Sequence, residues 1–136
     1  MKKLKILVIN AFPELFVPVF YLENEHEVTK VYSVEELDNI KKHQGFGDFD
    51  LIFWDPVMPP GRSLNPEEIK EADGGIQTGK VLYKKYNMEN LPKARIIIWT
   101  NPVSGKDYFW GSNVIAVIKK GIKKNSLINA IHLIED

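Results

Sequence analysis

The sequence predicts an α/β fold, a three-layer α/β/α sandwich around a five-stranded parallel sheet. Short runs of branched apolar residues alternate along the chain with segments of helical periodicity, as in repeated βαβ units. Several of these runs are apolar almost throughout, as expected of parallel strands that helices cover on both faces. Right-handed crossovers then give a doubly wound sheet, for which 2-1-3-4-5 is a frequent strand order and the one we expect.

Five segments have the composition of strands. Most are rich in branched residues, whereas the second alternates between apolar and polar residues, which indicates one solvated side. In chain order the predicted strands are Leu4–Ile9, His26–Tyr32, Leu51–Trp54, Arg95–Trp99 and Val114–Ile118.

Helix signals lie between the predicted strands. A short helix is expected over 14–22, with Pro18 near its start or at a bend. The segment Ser33-Val-Glu-Glu36 fits a capping box that opens a helix to about Lys42. Asn125 is expected to cap a last helix, whose apolar positions recur at helical spacing: Leu127, Ile128, Ile131 and Ile134.

The connection after the third strand is longer than a minimal βαβ unit needs, and such connections are usually functional. Asn65-Pro66-Glu67-Glu68 has the pattern of a helix start with proline in the first helical position. We expect a short helix near 67–72, a turn at Gly74-Gly75 and a longer helix to about Tyr86. The inserted segment, 56–75, is expected to form a flap over the carboxyl edge of the sheet.

Length and composition narrow the class of protein. The 136 residues suit one domain, and 44% hydrophobic with 26% charged residues is an ordinary globular mixture. Lys+Arg and Asp+Glu are equal at 18 each, so no attraction to nucleic acid or an anionic membrane is implied. Cysteine is absent, which excludes disulfides and thiolate sites. No apolar run reaches the roughly 20 residues of a membrane span, and no cleavage signal follows the N-terminus, so we expect a cytoplasmic protein.

Polar side chains follow three predicted strands, at the edge where parallel sheets gather ligand and catalytic groups. They are Asp55, Thr100 and Lys120. A carboxylate at the end of a buried strand can hold a metal, act as a base or accept a phosphoryl group, or it can cap the next helix. Thr100 can equally begin a turn with Asn101-Pro102, and Lys120 lies in a lysine-rich stretch typical of a solvated face.

These strand ends and the strand pattern resemble the receiver domain of bacterial two-component response regulators, over essentially the whole chain. Asp55 with Met58-Pro59 and Gly61 is similar to the family's phosphoacceptor aspartate and its Met-Pro-Gly turn. Thr100 and Lys120 match the hydroxyl residue and the lysine that end strands four and five. The resemblance implies a flavodoxin-like fold, a phosphoacceptor at Asp55, and phosphate binding by Thr100 and Lys120.

The family's acidic pair after strand one has no counterpart in this sequence. That pair holds Mg²⁺ together with the phosphoacceptor, whereas the aligned residues here are Asn10 and Ala11. With Met58, they are expected to line the site without completing a metal centre. The resemblance leaves only weak Mg²⁺ binding, through Asp55 and the backbone of Val57, although phosphoryl transfer relies on that ion.

The flank of strands four and five departs from the family as well. Gly121 stands where the family has a proline, and Val117 where it has the switch aromatic, so the family's threonine-to-aromatic coupling is not expected. The preceding connection has room for one or two helical turns around 106–110. In the family this flank contacts partners, so the resemblance implies a partner surface, against the alternative of plain packing, for three consecutive aromatic residues: Tyr108, Phe109 and Trp110.

One further motif has the spacing of a phosphate-binding loop, G-x-x-x-x-G-K, over Gly74–Lys80. Val81 stands where that motif needs Ser or Thr for Mg²⁺, and polar residues precede it where the motif needs a buried strand. We prefer the interpretation of a glycine turn that opens an amphipathic helix.

Three functions are compatible with the sequence. The first is an atypical receiver domain with no output domain in this chain, in which Asp55 accepts a phosphoryl group. It would signal through a protein partner such as a histidine kinase, a phosphotransfer protein or a second copy of itself. The second is a pseudo-receiver, a binding module that works without phosphate, favoured by Asn10, Ala11 and Val117. The third, a small hydrolase or nucleotide-binding enzyme, lacks a nucleophile–base pair, so we expect no enzymatic activity beyond self-phosphorylation.

Overall fold

Five parallel strands form one sheet in the order β2-β1-β3-β4-β5, as predicted. The computed structural model describes residues 3–11, 16–91, 95–101, 107–121 and 125–134. Each strand boundary lies within one residue of its predicted position. The strands are β1 (Lys5–Ile9), β2 (Glu27–Val31), β3 (Leu51–Trp54), β4 (Arg95–Thr100) and β5 (Val114–Lys119).

The helices of the described chain are α1 (Phe16–Glu23), α2 (Val34–His43), α3 (Pro66–Glu71), α4 (Thr78–Lys85) and α5 (Ser126–Ala130). Pro18 lies in the first turn of α1, where its missing N–H removes no helical hydrogen bond. The last helix is shorter than its apolar pattern indicates, because it continues as a 3₁₀ turn over Ile131–Leu133. In the described part of the chain, no helix is long and apolar enough to cross a membrane.

The sheet separates two apolar layers, because alternate residues of each strand point to opposite faces. In β3, Ile52 and Trp54 belong to the layer covered by α2 and α4, whereas Leu51 and Phe53 belong to the layer covered by α1 and α5. The apolar positions predicted for the last helix all pack in this second layer: Leu127 and Ile131 are buried, and Ile128 and Ile134 partly buried.

Two of the three predicted helix starts form side-chain caps. Ser33 Oγ accepts the N–H of Glu36 at 3.2 Å, while the Glu36 carboxylate accepts from the Ser33 hydroxyl and reaches one residue further back than expected, to the N–H of Tyr32. Asn65 and Glu68 exchange two such bonds at 2.9 and 2.8 Å. The bond from the Asn65 N–H also lowers the pKa of Glu68.

Asn125 departs from its predicted role as a cap. It occupies the N-cap position of α5, but its side chain makes no capping hydrogen bond within the described residues. Its backbone is already in the right-handed helical region, with φ −91° and ψ 0°. An N-cap side chain reaches the first turn from an extended backbone, so this conformation removes the expected contact.

The inserted segment contacts the helices α2 and α4. The N–H of Arg62 donates to the Glu35 carboxylate of α2 at 3.0 Å, and the Lys85 ammonium of α4 donates to the carbonyl of Ser63 at 3.1 Å. Leu64 is buried in the layer that α2 and α4 share. Burial of this side chain holds the segment against the helices, and the short helix predicted near 67–72 forms as α3.

Gly79 allows α4 to pass close to the end of β3. Its N–H donates to the carbonyl of Pro56 at 2.9 Å, and its carbonyl accepts the indole N–H of Trp54 at 3.1 Å. A Cβ at this position would lie 2.5 Å from the Cα of Pro56 and 2.8 Å from the carbonyl oxygen of Asp55. Both obstacles are backbone atoms, so the contact fixes α4 against the residues that follow β3.

We expect Gly79→Ala to lower the free energy of unfolding by about 1–3 kcal/mol, because the new methyl group meets backbone that cannot move aside. Helix propensity alone favours alanine over glycine by about 1 kcal/mol, so a net loss of stability would come from the packing. Urea denaturation measures it, with Gly47→Ala as the control, since no atom lies within 4 Å of a Cβ at Gly47. A Gly79→Ala protein as stable as the wild type would contradict this packing.

Candidate functional site

The ends of four strands meet at the carboxyl edge of the sheet. Asn10 follows β1, Asp55 follows β3, Thr100 ends β4 and Lys120 follows β5. All four are buried, with exposures of 1% to 6%. The N–H of Lys120 donates to the carbonyl of Thr100 at 2.7 Å, so the ladder between β4 and β5 extends one residue beyond β5. The predicted site residues are therefore brought together by sheet register.

A buried ion pair joins two of these strand ends. The Lys120 ammonium lies 2.7 Å from Oδ2 of Asp55 and 2.9 Å from Oδ1 of Asn10. It also stands over the ring of Trp99, 5.3 Å from the centroid, as a cation–π contact. Two charges leave water here, a cost that short charge-assisted hydrogen bonds offset.

Both oxygens of the Asp55 carboxylate accept backbone hydrogen bonds as well. The N–H of Ala11 donates to Oδ2 at 3.2 Å and the N–H of Val57 to Oδ1 at 3.0 Å. Burial raises the pKa of Asp55, while the charge and hydrogen bonds of Lys120 and the two backbone N–H groups oppose that rise. The carboxylate is thus held by three donors.

The alternative interpretations of Asp55 and Lys120 do not fit the structure, whereas the turn that Thr100 could begin includes Pro102, which lies outside the described residues. Asp55 does not cap a helix, because the next helix, α3, begins eleven residues later at Pro66. Lys120 is buried, unlike the exposed Lys119 that precedes it, so it is not part of a solvated face.

Met58 is also buried, and its carbonyl accepts the hydroxyl of Thr78 at 2.6 Å. Met58 therefore supports the loop after Asp55.

Trp99 is expected next to the site from its place one residue before the end of β4, and the structure confirms this position. Trp99 is fully buried in the layer of α1 and α5, and its ring contacts the Lys120 ammonium. Sequence reasoning did not identify Thr78 as a neighbour of the site. Thr78 opens α4, and nothing in its sequence context marks a hydroxyl that bonds to the carbonyl of Met58.

The donor set at this centre does not fit Mg²⁺. Asp55 supplies one carboxylate and Asn10 a neutral amide oxygen, and the Lys120 ammonium already lies within hydrogen-bond distance of both. Val57 takes part through its N–H, not as the oxygen donor that the resemblance implied. In the parts of the chain that the structure describes, no group of three or more acidic or histidine side chains could hold a metal. No step at this centre is therefore assigned to Mg²⁺.

The phosphate-loop-like segment is poorly arranged to bind a phosphate, because several of its backbone N–H groups already donate to carbonyl oxygens of the chain. The N–H groups of Gly75 and Gln77 donate to the carbonyl of Ala72, and that of Gly79 donates to the carbonyl of Pro56. A phosphate-binding loop needs such groups directed at the ligand. The segment is the glycine turn that the sequence favoured.

Of the three consecutive aromatic residues, one is exposed. Tyr108 is buried, with its ring centroid 6.2 Å from that of Trp110, which in turn lies 5.5 Å from Tyr83. Phe109 is 59% exposed. Plain packing accounts for Tyr108 and Trp110, so the predicted partner surface reduces to Phe109 and its surroundings.

The helical turns predicted around 106–110 do not form over residues 107–110, and residue 106 lies outside the described chain. Oδ1 of Asp107 accepts the N–H of Phe109 at 3.1 Å, and its carbonyl accepts the indole N–H of Trp110 at 3.0 Å. Local bonds of an aspartate side chain compete with helical hydrogen bonding in this way.

Solved structures share this fold across almost the whole chain. A receiver domain from Methylobacillus flagellatus has 16% identity and a TM-score of 0.63, covering 98% of this chain and 100% of its own. One from Methanospirillum hungatei has 18% identity and a TM-score of 0.62, covering 96% and 92%. The beryllofluoride-activated DrrB receiver domain, from a Thermotoga maritima response regulator, has 14% identity and a TM-score of 0.64, covering 96% of both chains.

No protein-family model and no curated protein sequence matches this chain. The structural likeness confirms the predicted receiver-like, flavodoxin-like fold, with its parallel sheet in the order 2-1-3-4-5. The chemistry at the strand ends has to be argued from this chain's own residues.

Lys120→Met is expected to lower the free energy of unfolding by about 3–5 kcal/mol at neutral pH, because it leaves the buried Asp55 carboxylate without its counter-charge. Asp55→Asn combined with Lys120→Met should recover much of this loss, since neither residue then carries a charge. Urea denaturation of the wild type, both single variants and the double variant measures the coupling. Additive losses in the four proteins would show that the pair is not coupled.

The same variants should differ in their pH dependence. Because burial raises the pKa of Asp55, the folded protein keeps this proton to a higher pH than the unfolded chain, where an aspartate titrates near about 3.9. Ionisation of Asp55 therefore costs stability as the pH rises from about 4 through the folded pKa. The fall should be larger, and extend to higher pH, in Lys120→Met, and it should be absent from Asp55→Asn. Unfolding curves between about pH 4 and 8 test this order.

Proposed function

We propose that this chain is a receiver-fold signalling module that binds a protein partner and works without phosphoryl transfer. The observation that carries the proposal is the buried ammonium of Lys120, which bridges Oδ2 of Asp55 and Oδ1 of Asn10 at 2.7 and 2.9 Å. An internal cation therefore already uses one oxygen of Asp55 and the amide oxygen of Asn10, two of the oxygens that a divalent ion at this edge would need.

Charge at the centre supports this choice. A phosphoryl group on Asp55 would bring about two negative charges into a buried position. Among the described residues, Lys120 is the one cationic side chain shown within bonding distance of Asp55, and Asn10 and Ala11 supply no carboxylates to hold a metal. Phosphoryl transfer needs that metal to neutralise the developing charge. The single positive charge of Lys120 therefore balances the carboxylate of Asp55, but not the additional charge of a phosphoryl group.

Access to the carboxylate supports it as well. An attacking oxygen needs a lone pair directed at the phosphorus of the donor, and the Asp55 side chain is only 1% exposed. Oδ1 accepts from Val57, and Oδ2 accepts from both Lys120 and Ala11. Transfer would require the ion pair to open first. Because Asp55 and Lys120 bind each other, neither side chain is available to a substrate as a nucleophile or a base. We therefore propose no catalytic activity.

A second candidate is phosphotransfer to Asp55, and the observation that favours it is the convergence of Asp55, Thr100 and Lys120 at one edge. In that mechanism a carboxylate oxygen attacks the phosphorus of a phosphohistidine or acyl phosphate, and the donor's P–N or P–O bond breaks. Lys120 would then pair with the transferred group. A histidine kinase or phosphotransfer protein would be the partner.

Exposure to acetyl phosphate and Mg²⁺ separates the two candidates. We expect the wild type to show no added phosphate by intact mass, and Mg²⁺ to leave the fluorescence of Trp99, beside Lys120, unchanged. Restoring the acidic pair with Asn10→Asp and Ala11→Asp together should create a saturable fluorescence response to Mg²⁺, because three carboxylates then face one ammonium. The matched control adds Asp55→Asn to that variant and should weaken the response. Phosphate on Asp55 of the wild type would overturn the proposal and establish the second candidate.

The exposed ring of Phe109 is the part of the predicted partner surface available for contact. We expect Phe109→Asp to change the free energy of unfolding by no more than about 0.5 kcal/mol, because the ring lies outside both apolar layers. Sedimentation velocity of the wild type and this variant then tests whether the partner is a second copy. A concentration-dependent dimer that the variant loses would assign this face to self-association, whereas a dimer unaffected by the variant would remove Phe109 from the interface.

A further inference from the structure

A cavity of about 110 Å³ lies between α1 and the carboxyl halves of β1 and β2. Its apolar lining comes from Val8, Val19, Phe20 and Tyr32. Val8 and Val19 are buried and form the inner part, whereas Phe20 and Tyr32 are 55% and 40% exposed. Two aromatic rings therefore stand at the opening of an apolar hollow. Exposed aromatic side chains that surround a cavity are typical of binding sites.

The polar groups of this cavity are few and are held in place. Glu23 and Lys30 form an ion pair at 3.1 Å across its lining, linking α1 to β2. Asn10 lines the cavity and is the residue whose amide oxygen accepts from Lys120. Fixed polar groups at the edges of an apolar cavity orient a ligand without making the interior polar.

Size selects the class of ligand. Sites for drug-sized molecules have volumes of roughly 300–1,000 Å³, so this cavity is too small for a nucleotide or a multi-ring compound. An engineered apolar cavity of about 150 Å³ in another protein binds benzene. This cavity is slightly smaller and partly open to solvent, so a single ring fits while its substituent reaches the opening.

We infer that this cavity is a binding site for a monocyclic aromatic compound with one hydroxyl substituent. The ring contacts Val8 and Val19 and the aromatic side chains of Phe20 and Tyr32, and the hydroxyl group faces the Asn10 amide or the Glu23–Lys30 pair. The inference goes beyond the proposed function, because the cavity and its lining do not depend on whether Asp55 is phosphorylated. A small ligand of this kind binds with a dissociation constant of about 1 mM.

Phenol is the probe for the test, and ¹H–¹⁵N spectra of the full chain are the readout. We expect saturable shift changes at the amides of Val8, Val19, Phe20 and Tyr32. Cyclohexanol, which has a similar size but no aromatic ring, should bind several-fold more weakly. Saturation in these spectra distinguishes binding at one site from a general solvent effect.

Two variants of the cavity lining and one control variant test the site. Val19→Met should fill the cavity and Phe20→Ala should remove one wall, each weakening phenol about tenfold. Phe109→Ala is the control, since Phe109 is as exposed as Phe20 but does not line the cavity. Phe20→Ala removes a largely exposed ring, so it tests the site even where Val19→Met fails to fold. Shifts that do not saturate, or equal binding by Phe20→Ala and Phe109→Ala, would overturn the inference.

Discussion

The buried ion pair between Lys120 and Asp55 is the interaction on which the carboxyl edge of the sheet depends. It connects the end of β5 to the end of β3, and the amide of Asn10 adds the end of β1. Two buried charges are tolerated only when hydrogen bonds satisfy them, and backbone N–H groups complete those of Asp55. The pair and this amide therefore fix how three of the five strands end.

The pair also explains how a receiver fold can carry different chemistry. The fold brings Asp55, Thr100 and Lys120 together through strand order and register, and solved structures of less than 20% identity share this fold. What happens there depends on how many negative charges face the lysine. Fold and function separate at this point, because one architecture can hold a metal centre or a self-neutralised pair.

Elements that depend on patterns of neighbouring residues could be predicted from the sequence. Features that depend on contacts between residues far apart in the chain could not. The apolar run of β3 and the helix start at Asn65-Pro66 depend on neighbouring residues, and both form as expected. The burial of Lys120 beside the exposed Lys119 could not be predicted in this way. Both residues lie in one lysine-rich stretch, and only the ion pair with the Asp55 carboxylate distinguishes Lys120. The missing helical turn after Asp107 and the packing of Leu64 between helices likewise depend on bonds and burial that a pattern of residue types does not record.

In the function that we propose, Asn10 rather than Asp55 sets the charge balance at this edge. An aspartate at this position would give Lys120 two carboxylates to balance, and the excess negative charge would call for a further cation. Asparagine has the shape of aspartate, and its amide oxygen still accepts a hydrogen bond, but it carries no charge. The ammonium of Lys120 therefore has only the carboxylate of Asp55 to balance. Asn10 also lines the cavity beside α1, so within the described residues it is shared by the ion-paired centre and the apolar hollow. The neutral side chain at the centre and the contact between centre and cavity therefore have the same structural origin, at the end of β1.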